Sequence, residues 1–483
     1  MPSTKKELAS GVLYTTIAKY SSTAVQLGVS AILARLLTPA DYGVVTIATV
    51  FILFFNIISD IGIGPAIIQF KDLDRQDLCN IFSFTACAGS CMCILFFLSS
   101  WPIASYYNND TLVPVCQWLS LAILFNCLNI VPQNLQYKRK RFRFTAIVSL
   151  SANIVTAIIA ICMAYCGFGV YTLVFQQISS VFIIFVAYYF QDKLTIVFKI
   201  DWAPLKRISS YSTYQFLFNF INYFSRNLDK LLVGRFVGIA PLGQYEKSYR
   251  LMMMPLQNIT SVVTPVMQPI FSNFQNDLQV MAEKYIKLFA FLCCIGFPIS
   301  ILLFFSGKEL VLLVFGNQWF DAIFPFRILA LTVGFQIVNG TAGSIYQSAN
   351  ATRQLFISGC WCAFFMITSF VITIWVWNSI NAVAIGFAIA QLLNSTQTYY
   401  LLFKTLHYPI RKVLTTMIYP LAVSIVIGVV LFLICPYCDN LSMILSFIIK
   451  SVVVGVIWFV SFNYVGPYQG VLDVYLTKFR HKR

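Results

Sequence analysis

Two sets of polar side chains, 200 positions apart, carry the residue types able to do chemistry in this chain of 483 residues. Thr15, Lys19, Ser22, Gln26 and Ser30 form the first; Gln215, Asn219, Asn222, Arg226 and Lys230 form the second. Spacings of three and four place each set on one face of a helix. The surrounding sequence is apolar, so each face needs a wet or paired environment. Fixed cations in a low-dielectric cavity suit an anionic ligand, and a pyrophosphate suits them well. Arg can hold it through two parallel N–H bonds, whereas Lys acts as a point charge. Lys19, Gln26, Asn219, Asn222, Arg226, Lys230 and, further along, Arg250 are the candidate substrate-binding residues. Asp229 and Glu246 have two readings. They neutralise neighbouring cations along one helix, or they serve an ion-coupling step.

The elements that position these residues follow from composition. The chain is 59% hydrophobic and only 10% charged, against about 25% charged in soluble domains, which excludes a water-soluble enzyme. Apolar blocks long enough to cross a hydrocarbon core of about 30 Å recur throughout. In lipid they must be helices, because every backbone polar group has to be satisfied within the segment. Fourteen spans are expected, near 10–36, 42–65, 78–104, 112–134, 144–165, 169–190, 208–237, 243–270, 286–305, 325–348, 354–377, 380–403, 413–434 and 441–464. The first is too long for a cleaved signal and lacks a small-residue cleavage site. The longest outer connection, 306–324, reads as an interfacial turn region. No soluble domain fits between the spans.

The net charge of +16 resembles a nucleic-acid signature until it is distributed by loop. With a cytoplasmic N-terminus, 23 of the 33 Lys and Arg fall on one side. Only Arg35, Arg235 and Lys308 fall on the other, and seven lie in or at the edges of spans. This asymmetry obeys the positive-inside rule, places both termini in the cytoplasm and leaves no role for nucleic acid. The run Lys138-Arg139-Lys140-Arg141 either enforces topology or meets acidic headgroups of membrane lipids.

Each polar set is followed by Arg, a Pro turn and Tyr: Arg35, Pro39 and Tyr42, then Arg235, Pro241 and Tyr245. The next span in each case ends near a Pro with Gln beyond it, Pro65 and Gln69, then Pro265 and Gln268. Both copies begin on the same side, which describes a parallel repeat of six helices. The expected organisation is an N-lobe over 1–195, a C-lobe over 196–405, and two further helices with a basic tail over 406–483. Binding is expected between the repeats. Lys19 lies roughly 15 Å into its span, near the midplane, at about 1.5 Å per residue. Ionisable groups at such depth are functional candidates. Lys450, near the middle of the last span, has no partner visible in sequence. Snorkelling of its ammonium accounts for it, and no role is assigned.

Several chemistries lack their residues. There is no G-x-x-x-x-G-K-[ST] loop, and the two His, His407 and His481, fall in loops. No cofactor or metal is expected. The fourteen Cys read as small buried hydrophobes, and Cys435-Pro-Tyr-Cys438 as incidental. Nothing supplies the large external loop on which a glycan polymerase would place its acid and base.

The stretches Asn227-Leu-Asp-Lys-Leu-Leu-Val-Gly-Arg-Phe-Val-Gly238, Leu242-Gly-Gln-Tyr245 and Tyr249-Arg-Leu-Met-Met-Met-Pro-Leu-Gln-Asn258 resemble the polysaccharide transporter family. These are the Wzx-type flippases of the multidrug/oligosaccharidyl-lipid/polysaccharide exporter superfamily. Leu36-Leu-Thr-Pro-Ala-Asp-Tyr-Gly43, Arg141-Phe-Arg-Phe144, Gly167-Phe-Gly169 and Phe315-Gly-Asn-Gln-Trp319 resemble its colanic-acid exporter branch. The resemblance covers about residues 10–400. It implies a non-enzymatic inner-membrane protein with two six-helix lobes around a central cavity. Its cargo would be an undecaprenyl-pyrophosphate-linked oligosaccharide, moved with a coupling ion (proton or sodium), with polysaccharide polymerases as possible partners. The alternatives are an ion-coupled multidrug antiporter of the same superfamily and, further off, a membrane-embedded glycan polymerase. Uncompensated acids would suit a cation carrier, and here bases predominate.

Overall fold

A computed structural model describes residues 2–60, 63–70, 73–197, 201, 223–224, 226–438 and 440–465. Among the described residues helices predominate and no strand occurs. The first part comprises α1 (Pro2–Leu36), α2 (Pro39–Asp60), α3 (Ile63–Gln69), α4 (Arg75–Tyr107), α5 (Leu112–Lys138), α6 (Phe142–Tyr165) and α7 (Val170–Asp192). Helical turns at 226–232 lead into a wider π turn, Val233–Val237. Then follow α8 (Ile239–Phe271), α9 (Leu278–Phe305), α10 (Gly307–Phe315), α11 (Ile323–Ala330), α12 (Val333–Ser348), α13 (Thr352–Trp377), α14 (Ile380–Thr405), α15 (Ile410–Cys438) and α16 (Met443–Val460).

Nine described helices are long and apolar enough to cross a membrane. A tenth span forms if Asn317–Ala330 and Val333–Ser348, bent by 53°, are taken together. Most of the expected seventh span, 208–237, lies outside the described residues. α14 has the length of a span but a polar flank, and its partners explain why. Asn339 Nδ2 donates to Ser395 Oγ at 2.7 Å, Tyr346 Oη to the Thr398 carbonyl at 3.2 Å, and the Ser358 and Thr398 hydroxyls meet at 3.1 Å. Such bonds join helices where lipid offers no hydrophobic drive for association.

Helix ends follow local rules. Asp74 caps α4 by accepting from Asp77 N, and Asp77 returns the bond to Asp74 N, a capping box. Asp277 and Ser442 cap α9 and α16. Asn108, Lys193 and Asn378 close α4, α7 and α13 in the left-handed conformation.

The chain separates into two compact units, Met1–Gly243 and Gln244–Arg483. In the first, α5 packs on α4 and α7, and α1 packs on α6. In the second, α9 packs on α12 and α15, and α13 on α14. Residues 231–243 belong with the first unit because they are tied to it. Tyr107 Oη donates to the Leu231 carbonyl at 3.2 Å, and the Arg235 guanidinium lies 4.8 Å from the Tyr106 ring centre.

Two glycines mark close backbone approaches within the first unit. A Cβ on Gly43 would stand 1.9 Å from the Ile239 carbonyl oxygen, and one on Gly243 would stand 1.9 Å from that of Pro39. The pairs 43/243 and 39/239 keep the offset of 200. Glycine is required there because two helix backbones touch.

The connection 306–324 differs from the expected turn region. It folds as α10 followed by a 3-10 turn, Asn317–Ala322. Val311, Leu312, Phe315 and Trp319 are buried, Trp319 at 0% exposure. Aromatic and aliphatic side chains at helical spacing give this short segment an inward face of its own.

Candidate functional site

The first polar face is set by α1. Lys19 and Gln26 are exposed on it, seven residues and therefore two turns apart. Between them Ser22 accepts a hydrogen bond from Asn153 Nδ2 of α6, and the Thr23 hydroxyl returns to the Lys19 carbonyl at 2.9 Å. One flank of the face thus docks α1 on α6 and the other presents Lys19 and Gln26.

Of the second face, Asn219 and Asn222 lie outside the described residues. Arg226 is exposed, Lys230 is half-buried and Asp229 is 2% exposed. Arg226 and Lys230 share a helical face with one turn between them. Tyr223 turns away from it. Its hydroxyl donates to the Val50 carbonyl at 3.0 Å and its ring packs 5.5 Å from Phe54. Its aromatic surface serves packing, at 4% exposure. Tyr20 is exposed beside Lys19, and Tyr214 lies outside the described residues.

At the start of α8, Glu246 is half-buried and Arg250 exposed. Lys247 between them is fully buried, with Nζ 4.7 Å from the Phe315 ring centre and 5.3 Å from that of Trp319. Aromatic faces can hold a cation away from water. Gln244 Nε2 donates to the Gln318 carbonyl at 2.8 Å, and the Ser248 hydroxyl to that of Ala322 at 2.7 Å. These three residues seat α8 on the 3-10 turn and fix its rotation, leaving Arg250 exposed. The Phe315–Trp319 motif therefore builds a box for a lysine in the Tyr245–Arg250 motif. Sequence reading had both motifs but not the contact, because the two stretches are about 70 residues apart.

Lys450 does not snorkel. It lies in α16 at 1% exposure, ion-paired to Glu309 of α10, itself 4% exposed. Its Nζ also donates to the Phe305 carbonyl at 3.1 Å, and the Ser446 hydroxyl donates to Glu309 Oε1 at 2.7 Å. Ser306-Gly-Lys-Glu309 has the form of a capping box, yet Ser306 makes no side-chain cap bond. The tertiary partner has taken the carboxylate. A buried lysine finds a carboxylate more readily than it reaches an interface half a span away.

Among the described residues no three His, Cys, Asp or Glu side chains group as metal ligands, and Cys435 and Cys438 are free thiols. A lateral cleft between α9, α15 and α16 is lined by Pro298, Tyr419, Pro420 and Trp458.

Nine described helices of membrane length define a multi-pass membrane protein. The chain belongs to the polysaccharide biosynthesis protein family, whose model matches residues 32–324. It is 25% identical over 348 residues to teichuronic acid biosynthesis protein TuaB of Bacillus subtilis strain 168, covering 71% of this chain and 72% of that protein. It is also 25% identical over 413 residues to lipopolysaccharide biosynthesis protein WzxC of Escherichia coli strain K12, covering 83% and 82%. Its fold is similar to that of the lipid II flippase MurJ in an inward closed conformation. The TM-score is 0.72 at 14% identity, over 93% of this chain and 97% of the other. At that identity the likeness is one of fold.

Proposed function

We propose that this protein is a flippase for undecaprenyl-pyrophosphate-linked oligosaccharide repeat units. It carries them from the cytoplasmic to the periplasmic leaflet of a bacterial inner membrane, for O-antigen, capsule or exopolysaccharide synthesis. The observation that carries the reading is membership of a polysaccharide biosynthesis family together with a flippase-like fold along nearly the whole chain. The fourteen-span map, with two six-helix lobes over 1–195 and 196–405 and both termini cytoplasmic, supplies its frame.

In the proposed cycle the lobes alternate access. Lys19 and Arg226 attract the pyrophosphate, Gln26, Asn219, Asn222, Lys230 and Arg250 complete a wet polar lining, and the lipid tail stays in the bilayer. Asp229 and Glu246 are the candidate sites for a proton or sodium ion whose gradient drives the cycle. A cation facing lipid at that depth would be costly, which supports a water-filled cavity as the place of Lys19 and Arg226. No bond in the cargo is made or broken.

The test is replacement of Lys19 and Arg226 by glutamine, with protein abundance measured by immunoblot. Surface polysaccharide should disappear at unchanged protein level, and full export by the folded double variant would remove the pyrophosphate role. In a deletion strain, repeat units should accumulate on the cytoplasmic face. Accumulation on the periplasmic face would point to polymerisation instead. Resistance to cationic dyes on overexpression, with unaltered glycan, would favour the antiporter.

A further inference from the structure

The turn from α5 to α6 is more tightly built than a topology signal requires. Positive-inside orientation depends on the number of loop cations and not on their conformation. Here the cations are held in a set geometry. Lys138 Nζ donates to the Phe70 carbonyl at 2.7 Å, and Arg139 is ion-paired to Asp192 at the end of α7. Asp192 is buried, and its other oxygen accepts from Gln136 Nε2 at 2.6 Å. Arg141 Nη1 donates to Gln191 Oε1 at 3.3 Å. Lys140 and Lys193 both have left-handed backbones, with φ of 56° and 44°, a conformation uncommon for residues other than glycine. Two helix ends are thereby locked side by side, with Lys140, Arg141, Arg143 and Lys193 exposed.

The depth of the cluster identifies its neighbour. Along α6 the exposed surface passes from Arg143 to Ile147, 55% exposed, in four residues, or about 6 Å. It continues apolar through Ile154 and Ile158. On α7, Phe190 is exposed two residues before the end. The cations therefore stand at the rim of a lipid-facing apolar belt, at headgroup depth. Asp192 is engaged by Arg139 and Gln136, and Asp74 and Asp77 by the cap of α4.

We propose that Lys140, Arg141 and Lys193 form a binding site for the headgroup of an anionic phospholipid of the phosphatidylglycerol or cardiolipin class. The exposed charges supply electrostatic complementarity to a phosphodiester, and the apolar rim receives its acyl chains. The site does not depend on which cargo the protein carries.

The test uses the full-length protein in phosphatidylcholine nanodiscs, with and without phosphatidylglycerol. Lipid retained through purification is counted by mass spectrometry, and thermal stability is followed in parallel. The variant Lys140→Asn/Arg141→Gln/Lys193→Asn keeps residues tolerant of the left-handed backbone at 140 and 193. It should lose retained phosphatidylglycerol roughly tenfold or more, since each basic residue near an anionic surface contributes about fivefold. Arg353→Gln/Lys404→Gln/Lys412→Gln, with the same change in net charge, should retain it, as should Lys140→Arg/Arg141→Lys. Equal loss in both triple variants would overturn the site and leave only a bulk charge effect. Stabilisation by inorganic phosphate as strong as by phosphatidylglycerol would overturn the lipid assignment.

Discussion

Lys450 and Glu309 show what one charge pair does inside a membrane protein. Each alone would cost several kcal/mol at such burial, and together they are held by Ser446 and the Phe305 carbonyl. Removing one partner leaves the other uncompensated. Lys450→Met is expected to lower stability by about 3–5 kcal/mol, whereas Lys450→Met/Glu309→Leu should return close to the parent value. Thermal unfolding in detergent measures both, and an equally unstable double variant would show that the pair does more than neutralise itself. Lys247 lies against two rings. Lys247→Met preserves apolar contact with Phe315 and Trp319 and gives up their desolvated cation–π contribution of about 1–2 kcal/mol, read by the same unfolding measurement.

At the scale of elements, backbone contact decides where helices cross. Gly43 and Gly243 each leave no room for a methyl group against the opposite carbonyl. Gly43→Ala or Gly243→Ala should therefore force α2 and the start of α8 apart and cost about 1–3 kcal/mol. Gly28→Ala is the control, since its added Cβ meets nothing within 4 Å and alanine favours helix. Equal melting temperatures for all three variants would refute the reciprocal seam. The short α10 makes the complementary point. A connection with Gly at both ends looks like a turn, but its buried Phe315 and Trp319 and its ion pair to α16 make it a packed part of the second unit.

At the scale of the molecule, the charge of +16 is proposed to set orientation. Twenty-three cations on one side of the map make a direct prediction for labelling experiments. Single cysteines at Lys140 and Lys404, in a background without other reactive thiols, should be protected from an impermeant reagent in intact cells and react after the membrane is opened. Cysteines at Asn109 and Ser379 should react from outside. Reaction of the first pair in intact cells would invert the map and, with it, the direction of the proposed transport.

Some of this was legible without coordinates because it is written in local sequence. Apolar block length dictates helices wherever lipid forbids unpaired backbone, so the boundaries of α4 to α7 and of α13 lie within a few residues of their expected positions. The proposed repeat rests on the same kind of local signal, since pairs such as Arg35 and Arg235 keep one offset. Burial was not legible. Lys450 looked unpartnered because Glu309 lies 141 residues away, and helical spacing shows which face a residue occupies but not what that face meets. Sequence periodicity determined the helices and their polar faces. Only tertiary packing decided which charges on those faces are paired, boxed by aromatic rings or left exposed, because that depends on neighbours distant in the chain.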